Sequence, residues 1–291
     1  VILYPSSTLP QYGPSTVTIE GLLLGVALDG VEWHFDALDG WTLGGGVSTT
    51  IADRPGAHGS FDGPSYRRSR VINISGTCIA DTPLLANDAA ERLAAVLADG
   101  GLGTITVDSP GRALSASVRL SDTPQAQWLS RNAFRWALQL TAPDSRKYAL
   151  PGILTADLAT GDEGQGLTFP LAFPLLFDDG APAGRVSFSN NGTAPSEPVF
   201  TVAGSFPSGF QVTHVETGAR LRYEAPAVGE YLLDAREGRV SIDGQDRSGY
   251  LTVREWPSVP PRSSATFAIS AIGDPALASG SLTVTFSPAF H

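Results

Sequence analysis

The sequence has one cysteine, one lysine, four histidines and no methionine. A single cysteine rules out an internal disulfide framework, and there is no cysteine cluster from which a zinc site could be built. Cys78 lies on the strand face of Ile72 and Ile74, the setting of a buried, inert thiol. His34, His58, His214 and His291 include no pair at metal-binding helical spacing. His214 and Glu216 share a strand face, but two ligands do not make a site. No Gly-X-Ser-X-Gly nucleophile turn occurs. No apolar run of about 18 residues is present to span a membrane, and the first residues lack the basic-then-apolar order of a signal peptide. Basic residues are also scarce. Lys and Arg number 19 against 29 Asp and Glu, giving a net charge of −10, which disfavours binding nucleic acid by phosphate neutralisation.

What is abundant is turn chemistry. The 291 residues include 32 Gly and 22 Pro, with 42% hydrophobic and 16% charged residues, the profile of a folded, turn-dense chain more naturally divided into two domains than one. From Gly184 to His291, short alternating runs recur between Gly, Pro and Asn, as in Ser281-Leu-Thr-Val-Thr-Phe286. Such runs predict an antiparallel β-sandwich over 184–291. Residues 1–150 read as a β-rich α+β domain with one helix over about 83–99, capped by Asp81 or Thr82 and opened by Pro83. Leu85, Ala89, Leu93, Val96 and Leu97 form its apolar face. Around it, Ile72/Ile74, Ile105/Val107, Leu114 to Leu120 and Phe134/Trp136/Leu138/Leu140 alternate as strands of the sheet it covers.

Residues 151–183 read as a Pro/Gly-rich linker or strap. Its apolar Phe169-Pro-Leu-Ala-Phe-Pro-Leu-Leu-Phe177 segment is expected to pack on a neighbouring domain or subunit. Gly44-Gly45-Gly46, Gly100-Gly101-Leu-Gly103 and Gly161 to Gly166 lack the helix start and Lys-Ser/Thr partner of a phosphate loop, and read as turns. Asp36 and Asp39 between Trp33 and Trp41 permit a glycosidase reading, with acids flanking a stacked sugar; the alternative is a polar turn at Asp39-Gly40. Asp178-Asp179-Gly180 lacks the alternating oxygen ligands of a Ca²⁺ loop. Asn73-Ile-Ser75 and Asn191-Gly-Thr193 match glycosylation sequons but read as a strand and a turn.

Several ordered features together resemble one family. Arg54, Gly56, Gly59 and Gly63 precede Tyr66-Arg-Arg-Ser-Arg70-Val-Ile-Asn-Ile-Ser-Gly76, and Phe134-Arg-Trp136 leads to Asp144-Ser-Arg-Lys-Tyr148. Further on come Arg185-Val-Ser-Phe-Ser-Asn-Asn-Gly192, Pro198 to Gly204, Thr217-Gly218, Asp234 before Gly238-Arg-Val240, Trp256-Pro257 and Ser287-Pro-Ala289. This set resembles the distal tail proteins of siphophages over nearly the whole chain, departing where Asp144-Ser145 stands for the family's Asp-Pro. The resemblance implies a structural virion protein at the tail tip, made in the host cytoplasm. Its first domains would form a ring, a hexamer in the family, and a galectin-like sandwich would project outward. The implied partners are further copies of itself, the tail tube protein, and tail-tip or receptor-binding proteins, with weak cell-surface glycan contact in addition. Genomic DNA would pass through the ring, with no specific nucleic-acid or membrane binding. No catalytic, cofactor or metal residues are implied and no cofactor is expected. The alternative is a carbohydrate-binding module or adhesin using Tyr223, Tyr231, Tyr250 or Trp256; a glycoside hydrolase is a third reading.

Overall fold

The computed structural model describes residues 16–158 and 184–291. These fall into two compact units that meet in sequence between Ala149 and Leu150. Both are built from antiparallel strands, and the first carries the α-helix.

The first unit runs β1 (Thr16–Ile19), β2 (Leu22–Leu24), β3 (Ala27–Leu28), β4 (Val31–Asp39), β5 (Val47–Asp53), β6 (Ser60–Arg67), β7 (Arg70–Ala80), α1 (Pro83–Ala95), β8 (Gly103–Ser109), β9 (Arg112–Leu120), β10 (Gln125–Trp128), β11 (Ala133–Ala142) and β12 (Lys147–Ala149). The main sheet has the order β2-β1-β8-β9-β11-β7-β4-β3, with β10 on β11 and β12 on β9. Alternation fixes its faces. Ile72, Ile74 and Cys78 of β7 and Phe134, Trp136, Leu138 and Leu140 of β11 are buried, joined by Ala86, Ala89 and Leu93 of α1. Trp33 meets Phe134 and Trp136 edge-to-face, with centroids 5.9 and 5.6 Å apart.

Thr82 caps α1 by accepting from the Leu85 amide. The helix is shorter than the expected 83–99. It ends at Ala95 because Val96 turns extended and Leu97 takes φ +52°, a reversal that keeps both side chains in the core.

The second unit comprises β13 (Gly152–Asp157), β14 (Arg185–Asn190), β15 (Val199–Phe206), β16 (Phe210–His214), β17 (Arg220–Tyr223), β18 (Ala227–Asp234), β19 (Arg239–Ile242), β20 (Gln245–Asp246), β21 (Leu251–Arg254), β22 (Ser263–Ala271), β23 (Ser279–Phe286) and β24 (Ala289–Phe290). One sheet is ordered β13-β23-β15-β18-β19-β20 and the other β14-β22-β16-β17-β21. Their inner faces meet at pairs such as Phe200 of β15 and Phe267 of β22, whose rings cross at 4.9 Å. This is the sandwich expected from the alternation, with one correction. Gly152–Asp157 was expected as the start of a linker but pairs with β23 from Gly152↔Phe286 to Asp157↔Ser281, so the sandwich recruits a strand from before residue 184. The Pro-free run Gly-Ile-Leu-Thr-Ala-Asp can donate every ladder hydrogen bond. The strap Phe169–Phe177, Gly161 to Gly166 and Asp178-Asp179-Gly180 lie outside the described residues.

Candidate functional site

The residues weighed for chemistry do not converge. Trp33 and Trp41 are both buried, so neither offers a face to a sugar. Asp36 is the extra residue of a β-bulge between Phe35 and Ala37, and Asp39 ends β4 before Gly40. That is the polar-turn arrangement.

His214 is buried, with Nδ1 hydrogen-bonded to the Thr217 hydroxyl and Nε2 3.6 Å from Glu216. Burial alone raises the Glu216 pKa, but the bonds it accepts from Thr266, 2.9 Å from the amide, outweigh this and hold the carboxyl below the usual range. The group therefore ties the β16–β17 turn to β22. His34 pairs with Glu32 on an exposed strand face. Burial pushes the Cys78 thiol up to about 11, which suppresses the thiolate. Among the described residues no group of three His, Cys, Asp or Glu could hold a metal.

A different feature stands out. β5 and β6 form a two-stranded sheet of their own, and among the described residues these strands pair only with each other. Such a hairpin is marginal alone in water, and apolar side chains on it need cover. This one leaves Val47, Ile51, Phe61 and Tyr66 exposed by 53%, 61%, 57% and 68%. Near its tip the Arg54 guanidinium lies 5.0 Å from the centre of the Phe61 ring. Gly56 and Gly59, at φ +73° and +90°, make the reversal.

The root of this arm is held by two buried cations. Arg70, fully buried at the start of β7, donates from one terminal nitrogen to the carbonyls of Gly40, Trp41 and Leu43 at 2.7, 2.9 and 2.9 Å. Its Nε and second terminal nitrogen donate to the Ser145 carbonyl at 3.1 and 2.8 Å. The chain entering the arm is thus bound to the residue that follows it. Lys147 donates to the same Trp41 carbonyl at 2.9 Å, and its ammonium lies 5.6 Å from the Trp41 ring centre. Burial, then the neighbouring Arg70 and Arg112, lowers the Lys147 pKa to about 8; burial and Arg67 lower that of Arg70. Neither cation has a carboxylate within ion-pair distance among the described residues; backbone carbonyls do the solvating. Ser145, where the chain departs from Asp-Pro, contributes through its carbonyl. Its neighbour Asp144 accepts from Tyr148 Oη at 2.5 Å and pairs with Arg146 at 3.1 Å.

Arg70 closes the run Arg67-Arg68-Ser69-Arg70, in which residue type alone does not mark one guanidinium as buried. The usable signal is parity: Arg70 shares its strand face with Ile72, Ile74 and Cys78, all buried.

No protein-family model matches the chain, nor does any curated protein sequence. Among solved structures, the fold is similar to the Dit protein of phage SPP1, described as a paradigm of the hub adsorption apparatus in phages infecting Gram-positive hosts. The match covers 95% of this chain and 99% of that one, with TM-score 0.63 and 14% identity. A chain of the phage P2 baseplate in its activated conformation is matched over 94% and 96%, with TM-score 0.53 and 9% identity.

Proposed function

We propose that the protein is a structural virion protein of a long-tailed bacteriophage: a distal tail ring, hexameric as the resemblance implies, joining the tail tube to the tail tip and receptor-binding proteins. The observation that carries the reading is the end-to-end likeness of fold to a phage hub protein, which spans both units rather than a shared module. The first unit, from the N-terminal region to Ala149, assembles the ring, and the galectin-like sandwich faces tip proteins.

Three features support this assignment. The clamped arm with exposed apolar side chains suits a subunit contact. The net charge of −10 suits a passage through which DNA slides without sticking. Asp36, Asp39, His34 and His214 are taken up in a bulge, a strand end and local pairs, arrangements that a structural role accommodates.

Of the aromatics named for the carbohydrate-binding alternative, Tyr223 and Tyr231 are buried in a cluster with Phe210, Trp256 is partly buried and Tyr250 is 48% exposed, so Tyr250 alone presents an open face. Immunogold labelling of purified phage with antibodies to this chain tests the assignment. Label at the distal end of the tail is expected, and absence of the protein from particles would refute it.

A further inference from the structure

We propose that Asn191-Gly192 is a latent deamidation site, shut in the folded chain by Asn190. Asn191 is the one asparagine in the sequence followed by glycine. It lies just beyond β14, is exposed, and its side-chain amide makes no hydrogen bond among the described residues. The reaction open to such a pair needs only water and base. The Gly192 backbone nitrogen loses its proton to solvent base and attacks Asn191 Cγ. The new C–N bond closes a succinimide ring, and the Cγ–Nδ2 bond breaks as ammonia leaves. Water then opens the ring at either carbonyl, leaving aspartate or isoaspartate. Glycine favours the step because, without a side chain, it lets the nitrogen approach.

Both requirements of that step are blocked here. The attacking nitrogen must be within reach of base, yet Gly192 is buried and its N–H donates to Asn190 Oδ1 at 2.9 Å. The backbone must also swing that nitrogen onto Cγ, yet Gly192 is wedged against β24. A Cβ on it would lie 1.9 Å from the Ala289 carbonyl oxygen, and the Ala194 amide donates to that same oxygen at 3.0 Å. This close approach is what requires glycine at 192, so the reactive pair is built into the packing.

Asn190 is itself held in place. It is fully buried, and its Nδ2 faces the carbonyls of Ala194, Val259 and Pro260 at 2.9, 3.0 and 3.2 Å, which fixes the end of the amide that meets Gly192. Isoaspartate at 191 would lengthen the main chain by a carbon beside the Ala194–Ala289 bridge. A chain that deamidates while this corner is open therefore cannot close it again as before.

The test is peptide mapping by mass spectrometry on the full-length protein held in mildly alkaline buffer, resolving asparagine, aspartate and isoaspartate at 191. The folded wild type is expected to convert about tenfold more slowly than the same protein unfolded in urea, the scale of one buried hydrogen bond. Asn190→Ala, shown to be folded by circular dichroism, is expected to lose most of that protection at Asn191, with no change at Asn87 and Asn132. If that variant does not fold, hydrogen exchange on the wild type replaces it: as urea rises below the unfolding transition, conversion at Asn191 should increase together with exchange of the Gly192 amide. Equal rates in folded and unfolded wild type would overturn the proposal. So would full protection in folded Asn190→Ala, or conversion at Asn191 while the Gly192 amide stays protected.

Discussion

Arg70 and Lys147 spend their charge on carbonyls rather than carboxylates. For Lys147 this has a measurable consequence. Its pKa is about 8 in the folded protein against 10.5 ordinarily, so between those values the unfolded chain binds more protons. Stability should therefore rise with pH through that window, by at most a few kcal/mol at about 1.4 kcal/mol per pH unit. Cys78 acts in the opposite sense. Its folded pKa of about 11 lies above the ordinary 9.0, so its contribution falls as pH rises from 9 to 11. The lysine effect is cleanest between about pH 8 and 9. Denaturant melts across that interval should show a rising midpoint for the wild type and a flatter profile for Lys147→Met; parallel profiles would contradict the burial. Trp136 gives a second prediction. It is 2% exposed and packed on Trp33 and Phe35, so Trp136→Ala should cost about 3–5 kcal/mol through cavity formation. Gly76 lies beneath it. A Cβ there would sit 1.9 Å from the His34 carbonyl oxygen, so Gly76→Ala should also lower the midpoint by forcing β4 away from β7. An unchanged midpoint for either variant would mean that the local packing differs from this description.

At the scale of elements, the arm's root and its strands respond to different forces. Pairing holds β5 to β6, while Arg70 holds the chain at Gly40 to Leu43 in place. Arg70→Met keeps the length but strips the guanidinium from four carbonyls; Trp41 retains Lys147, and each of the other three costs about 1–3 kcal/mol if left unsatisfied and buried. Hydrogen exchange should quicken in residues 40–67 of that variant, with little change in β15 and β22 of the sandwich. A uniform increase over both units would show that Arg70 supports more than the arm.

These elements also mark how far the sequence could be read. Alternation located β7, β11 and the sandwich strands, because one face of each is buried and side-chain parity records it. Thr82-Pro83 likewise marked the helix start. The helix end was overestimated because Val96 and Leu97 continue the apolar pattern after the backbone has left the helix. β13 was read as linker because Pro151 and the Gly-rich stretch beyond it dominated the local signal. The arm escaped for the opposite reason: both its faces are exposed, so no periodicity distinguishes it from a Gly-rich loop. The clamp is a long-range arrangement of Arg70, Lys147 and backbone carbonyls, which local patterns do not encode.

At the scale of the whole molecule, the proposed role is one of assembly and involves both antiparallel units. Ring formation is the central claim, and the mass of the assembled full-length protein tests it most directly. Native mass spectrometry or mass photometry, on the protein alone and on tail tips released from particles, should return one closed multiple of the chain mass, six as the family resemblance implies, with ring-shaped particles in negative stain. A single chain mass in both preparations, including the material released from particles, would contradict the account.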